Sequence, residues 1–229
     1  MKWIRDNLGG RNRLWYDDSE LEQLVVARTE NYYASSSSMP LDLEVFAEQY
    51  CGVGLYQHET LPDNVLGFTE FLPNQRCNIY LNRTITMSTE VAVPSISAVG
   101  RWRATIAHEL GHVFLHRILY DQHENQLGLL IEDSLEKADS NLQCAQDTVG
   151  LYVAAGDWRE VQANKAMASL LMPRTHFTLA FDRFAEANRG AVTMRNLVAE
   201  LSKLFLVSRQ ATEIRIAVLG LTISATRLV

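Results

Sequence analysis

The chain has 229 residues, of which 47% are hydrophobic, and a formal net charge of −6 at pH 7. This length and apolar content suit one compact domain, or a domain with a small helical extension. The acidic balance argues against general nucleic-acid binding, which usually shows a basic excess. Cys51, Cys77 and Cys144 have no Cys-x-x-Cys spacing, so they suggest no disulfide framework and fit a reducing compartment. The first residues are polar and lack the apolar core of a secretory signal, and no stretch is long enough to span a bilayer. We therefore expect a soluble, cytoplasmic protein.

Two helices are predicted in the N-terminal part. Ser19 and Glu22 have the spacing of a capping box, which predicts a helix over 19–33. The serine-rich run 35–40 ends this helix in a loop. Asp42 can cap a second, shorter helix.

A small antiparallel sheet is predicted next. Strand-like runs separated by Gly, Pro and Asn residues lie at 53–57, 65–71 and 77–81. Residues 84–99 are rich in Thr, Ser and Val and predict a loop or insertion. With helices on either side, this sheet predicts an α+β fold.

Helical patterns dominate the rest of the chain. They lie at 103–120, 134–144, 160–172, 192–206 and 208–218. The last two can be read as a DNA-binding helix-turn-helix, as a helical annex, or as a docking surface for a partner. Only Arg209 and Arg215 are basic in the final helix, which favours the annex.

The pentapeptide His108-Glu109-Leu110-Gly111-His112 is the strongest chemical signal in the chain. On a helix, residues i and i+4 share a face, so His108 and His112 can bind one zinc ion through imidazole nitrogens. Glu109 flanks the same face and can serve as the general base that activates a water molecule. Because an H-E-x-x-H sequence also arises by chance, its context decides how strongly it indicates a zinc peptidase.

The flanking residues narrow the class of site. Ala107 and Gly111 are small, as the close approach of a neighbouring strand requires. Leu115 and Ile118 stand where metzincins have a glycine and a histidine, which excludes that class. His116 lies one turn beyond the motif, but three ligands on successive turns drift around the helix and cannot surround one ion. We therefore expect His116 to pack, or to cap the helix end.

A catalytic zinc site needs a third protein ligand. Glu160 and Asn164 lie one turn apart in a segment that is otherwise apolar and small, as close contact with another helix requires. Glu160 is the preferred third ligand, and Asn164 is expected to hydrogen-bond the second nitrogen of a ligand histidine. Four acidic residues of a charged segment compete with Glu160 for this role: Glu132, Asp133, Glu136 and Asp139.

These motifs together resemble a known family. The segment 103–112, followed by Leu115-His116, is similar to the active-site helix of the ImmA/IrrE metallopeptidases. The segment 160–164, which leads to 170–173, is similar to the second signature of that family.

The resemblance extends beyond the two motifs to most of the chain, including 41–82 and 204–208. Gln162 stands where the family often has an acidic residue, which leaves Glu160 as the only carboxylate of that signature. The interval between the motifs looks long for the family and contains an acidic insertion at about 119–157.

The resemblance implies a gluzincin-like fold around a zinc ion held by His108, His112 and Glu160, with Glu109 as the base. Manganese can replace zinc in vitro. Known members are site-specific proteases that cleave helix-turn-helix repressors and so derepress genes. We therefore expect a metalloendopeptidase whose partner is such a repressor, with no direct DNA binding.

The expected organisation has three parts. An N-terminal helix and loop cover 1–40, the metallopeptidase domain covers 41–185, and a C-terminal helical annex covers 186–229.

Two other functions stay open. The chain can be a regulatory module that keeps the zinc fold and binds a partner without cutting it, or a toxin-type component of a toxin–antitoxin pair. The intact base Glu109 favours a peptidase over a module that only binds. Candidates for stabilising the oxyanion of the transition state are Tyr80, Tyr152 and His176.

Overall fold

The computed structural model describes residues 2–5, 12–36, 39–120, 141–145, 158–187 and 193–223. These residues form helices and two small sheets, so the predicted α+β class is confirmed. Their buried apolar side chains form one continuous core that extends from Leu14 near the N-terminus to Ile216 near the C-terminus.

A β-hairpin precedes the first helix. Strand β1 (Lys2–Arg5) pairs antiparallel with β2 (Asn12–Trp15). The expectation of only a helix and a loop over 1–40 is therefore wrong at the start of the chain. Each strand has only four residues, too few to show a clear two-residue alternation.

Helix α1 (Asp18–Ser35) is capped by Asp17, two residues before the predicted cap Ser19. The Asp17 side chain accepts the Glu20 backbone N–H, and the Glu20 side chain accepts the Asp17 backbone N–H, which makes a capping box. The predicted box of Ser19 and Glu22 is wrong, because Asp17 and Glu20 offer the same spacing upstream. The predicted second helix begins as α2 (Leu43–Val45), where the Asp42 side chain accepts the Val45 backbone N–H.

The main sheet contains four strands within the described residues, in the order β3-β5-β4-β6. They are β3 (Gly54–Glu59), β4 (Val65–Leu72), β5 (Arg76–Asn82) and β6 (Asn141–Ala145). Strand β4 is antiparallel to both neighbours, but β3 is parallel to β5. The prediction of an antiparallel sheet is therefore wrong at the β3 edge. Local turn residues predict only the β4–β5 hairpin, where Asn74 and Gln75 have positive φ angles.

Two loop and helix predictions are also corrected. Residues predicted as a loop at 84–99 contain α3 (Arg83–Met87) and the first turn of α4 (Ile96–His116). The Ser95 side chain caps α4 by accepting the Ala98 backbone N–H. The end of the helix predicted at 134–144 is instead strand β6, while 134–140 lie outside the described residues.

Helix α4 lies between the sheet and α5 (Trp158–Leu171), and its second half is buried on nearly every side. A Cβ atom on Gly111 would lie 2.9 Å from the Ala163 carbonyl oxygen and 3.1 Å from the Ala163 Cα. Glycine at this position therefore allows the two helix backbones to touch. Gly111 was expected to face a strand, but it faces a helix.

Replacing Gly111 with alanine is expected to destabilise the fold by about 1–3 kcal/mol, because the new methyl group meets the α5 backbone. Urea denaturation measures this change. Gly100→Ala in the same helix is the matched control, since its Cβ would have its nearest contact at 3.5 Å. The control should be neutral, or more stable by up to about 1 kcal/mol from helix propensity. Equal stability of the two variants would contradict the proposed close contact.

Three further helices complete the described chain: α6 (Arg174–Ala187), α7 (Met194–Phe205) and α8 (Arg209–Leu219). Helix α6 has no counterpart in the sequence predictions. Helices α7 and α8 lie close to their predicted positions, and Gly220 ends α8 with a φ angle of 65°.

Helix α8 packs on the rest of the protein through Arg215. This side chain is 4% exposed, donates to the Met172 carbonyl oxygen at 3.0 Å, and pairs with Glu22 of α1. Arg215 is therefore occupied inside the protein, as an annex requires. Within the described ranges, no helix is both long enough and apolar enough to cross a membrane.

Candidate metal centre

Three buried side chains converge between α4 and α5. His108 and His112 come from α4 and Glu160 comes from the first turn of α5, and one ligand atom from each lies within 4.8 Å of the others. His108 Nε2 lies 3.1 Å from Glu160 Oε2, and His112 Nε2 lies 3.2 Å from Glu160 Oε1. The two Nε2 atoms are 3.0 Å apart. This group can hold a metal ion.

The group forms because two local spacings meet across one helix contact. The four-residue interval brings both histidines to one face of α4. Gly111 lies between them in sequence and lets α5 approach until Glu160 reaches both rings.

Asn164 holds the outer nitrogen of His108, as predicted. Its Oδ1 atom lies 3.0 Å from His108 Nδ1, and both side chains are buried. An ion on His108 Nε2 would leave the single N–H of the ring at Nδ1, which then donates to the amide oxygen. This contact fixes the ring with Nε2 directed at the metal group.

His116 is not part of the three-residue metal group. It is fully buried, and its Nδ1 atom lies 3.0 Å from His112 Nδ1. Its ring meets the Trp158 ring edge-on at 5.4 Å. The sequence predictions missed this contact with a ligand histidine, although the four-residue interval was a signal for it.

Glu109 lies beside the group and is completely buried. Its Oε2 atom accepts a hydrogen bond from the Thr69 hydroxyl of β4 at 2.6 Å. Its Oε1 atom has no hydrogen-bond partner among the described residues. A buried, unpaired carboxylate oxygen is costly, which indicates that a further group belongs beside it.

Burial and neighbouring charges set the pKa values here. Burial raises the pKa of Glu109 to about 8, although His108 and the Thr69 hydrogen bond oppose this shift. Burial also disfavours the ionised form of Glu160, but hydrogen bonds from His108 and His112 outweigh it and lower the Glu160 pKa. Burial and the adjacent His112 lower the pKa of His116 well below its usual value, so the His116 ring is neutral.

No protein-family model matches the chain. Nor does any curated protein show significant sequence similarity to it. The function is therefore inferred from this geometry and from the sequence motifs.

Gln162 has a structural role on another face of α5. Its Nε2 atom donates to the Leu14 carbonyl oxygen at 2.9 Å, and its Oε1 atom accepts the Tyr16 backbone N–H at 3.4 Å. It therefore anchors the N-terminal segment to α5 and is not part of the metal group.

Of the three oxyanion candidates, the two that the structure describes, Tyr80 and His176, do not lie at this group. Tyr80 stacks on Phe68, on the sheet face opposite Thr69, and donates to Glu70. His176 packs against the Tyr33 ring at 4.6 Å. Tyr152 lies outside the described residues, as do the four competing acidic ligands.

A cavity of about 810 Å³ lies between α4, α5, α7 and α8. Its walls include Ala104, one turn before His108, and three basic residues: Arg101, Lys203 and Arg209. No residue of the metal group lines it, so this cavity is distinct from the site described above.

Proposed function

We propose that the protein is a zinc-dependent endopeptidase with a gluzincin-like site. The observation that carries this proposal is the convergence of His108, His112 and Glu160 beside a buried Glu109. Two imidazoles and one carboxylate are a donor set typical of catalytic zinc in peptidases.

The separations among the donor atoms support zinc. Donor atoms about 2.0–2.1 Å from a zinc ion at tetrahedral angles are about 3.3 Å apart. The two histidine Nε2 atoms are 3.0 Å apart. His108 Nε2 lies 3.1 Å from Glu160 Oε2, and His112 Nε2 lies 3.2 Å from the other oxygen, Oε1. The group therefore needs only small shifts to accept the ion.

In this proposal, Glu109 is the base, Thr69 holds the Glu109 side chain, and His108 and His112 are oriented ligands. Zinc would polarise the scissile carbonyl and acidify a water molecule. Glu109 takes the proton of that water through Oε1 and later passes it to the leaving amine. Thr69 holds the other carboxylate oxygen and so directs Oε1 towards the reacting atoms.

We propose a protein substrate, namely a helix-turn-helix repressor whose cleavage derepresses genes. The resemblance to the ImmA/IrrE motifs supports this choice. The acidic composition favours a protein partner over DNA.

The test is to incubate the purified protein and zinc with the helix-turn-helix repressor encoded beside its gene. We expect one discrete cut, located by mass spectrometry, that a chelator stops and added zinc restores. Manganese is tried in parallel. Repressor binding without cleavage would favour a regulatory module. Growth arrest that survives Glu109→Gln would favour a toxin.

The outer partner of His108 gives a further prediction. Asn164→Leu removes the acceptor of the His108 Nδ1–H at nearly constant volume, so zinc affinity should fall by about 10–100-fold. Asn164→Asp keeps an acceptor and should bind zinc more tightly than Asn164→Leu. Chelator competition measures both affinities, and equal affinities would contradict the assigned contact.

A further inference from the structure

His112 and His116 form an unusual contact between two imidazole rings of one helix. Both side chains are fully buried, and their Nδ1 atoms are 3.0 Å apart. At this distance one nitrogen must carry a proton and the other must offer its lone pair, because two N–H groups or two lone pairs repel.

The metal group decides which nitrogen carries the proton. When the group holds an ion, His112 Nε2, which faces Glu160 Oε1 and His108 Nε2, offers its lone pair to that ion. A neutral imidazole has one N–H, and for His112 it must then be at Nδ1. His112 is the donor, and His116 accepts through an unprotonated Nδ1.

We propose that His116 is a positioning residue for the metal site: its Nδ1 atom accepts the Nδ1–H of His112 and holds His112 Nε2 towards the ion. This inference rests on the proposed metal site and extends it to a residue outside the ligand set. His116 does for His112 what Asn164 does for His108.

The surroundings of His116 fix its ring for this task. It is 0% exposed and meets the Trp158 ring at an interplanar angle of 89°. Because this packing prevents the His116 ring from turning, its Nδ1 atom stays directed at the Nδ1 atom of His112.

The two ligand histidines are therefore supported from different elements. His108 depends on Asn164 of α5, whereas His112 depends on its own helix α4.

A pair of near-isosteric variants tests this proposal by zinc affinity, measured with a competing chelator and without any peptidase assay. His116→Leu has no acceptor and should weaken zinc binding by about 10–100-fold. His116→Asn places an amide oxygen near the position of the lost Nδ1, and should recover most of the affinity. Urea denaturation of both variants without zinc confirms that they fold.

Nitrogen-15 NMR of the zinc-loaded wild type provides a measurement without any substitution. We expect protons on His112 Nδ1 and His116 Nε2, and none on His116 Nδ1. A proton on His116 Nδ1, or equal zinc affinity of the Leu and Asn variants, would overturn the positioning role alone. A wild type that binds no zinc would overturn the proposed function, and this inference with it.

Discussion

Glu109→Gln is expected to slow cleavage of the repressor by about 10²–10⁴-fold while zinc binding persists. Glutamine has nearly the same shape as glutamate, and its amide oxygen can still accept the Thr69 hydroxyl hydrogen bond. What is lost is the ability to take a proton. Measuring cleavage rate and zinc content on the same samples distinguishes loss of the base, which slows cleavage only, from loss of a metal ligand, which also removes zinc.

Glu70→Gln is the matched control for that substitution. Glu70 lies next to Thr69 in β4, and its carboxylate accepts hydrogen bonds from Tyr80 and Asn78 on the opposite sheet face. The control should cleave at the wild-type rate. Wild-type cleavage by Glu109→Gln with zinc bound would show that Glu109 is not the base.

Glu160→Gln is expected to lower zinc affinity by at least about 100-fold and to abolish cleavage. Loss of an outer hydrogen-bond partner costs about 10–100-fold, and loss of a direct charged ligand costs at least as much. The amide of glutamine is neutral and a weak ligand. Both histidines also lose the carboxylate that faces their Nε2 atoms.

This loss is measurable as stability, without any substrate. Zinc at 100 times its dissociation constant should raise the wild-type unfolding free energy by about 2.7 kcal/mol, because it binds only the folded state. For a variant with 100-fold weaker affinity, the same zinc concentration adds only about 0.4 kcal/mol. Urea denaturation with and without zinc gives both values.

Glu200→Gln provides the corresponding control. Glu200 is about half exposed and pairs with Lys203 on the surface of α7 at 2.9 Å. Its substitution should leave the zinc-dependent stabilisation unchanged. If Glu160→Gln gained as much stability from zinc as the wild type, Glu160 would not be a ligand.

Local order along the helices was predictable from sequence. His108, Glu109 and His112 lie on one helix, and Glu160 and Asn164 lie one turn apart on another. These relations depend only on the helical repeat of 3.6 residues and on side chains within one turn. Helix caps also depend on local sequence. At the start of α1, however, Asp17 with Glu20 and Ser19 with Glu22 have the same spacing, and the sequence did not show which pair forms the capping box.

Contacts between residues far apart in the sequence were harder to predict. The parallel pairing of β3 with β5 joins segments separated by the whole β4–β5 hairpin, and no turn residue reports it. Glu22 was expected to cap α1, yet it pairs with Arg215, nearly the whole described chain away. Both pairings form only when the core assembles and buries these segments together. The local propensities of the residues carry no information about that assembly.

The same division applies to the metal centre. By itself, the sequence determined two helical faces, one with two histidines and a glutamate and the other with a carboxylate and an amide. Only the tertiary structure decided that these faces meet, because the missing side chain of Gly111 lets α5 lie against α4. The tertiary structure also turned His116 from an expected packing residue into the partner of His112. Both rings are fully buried, with their Nδ1 atoms 3.0 Å apart.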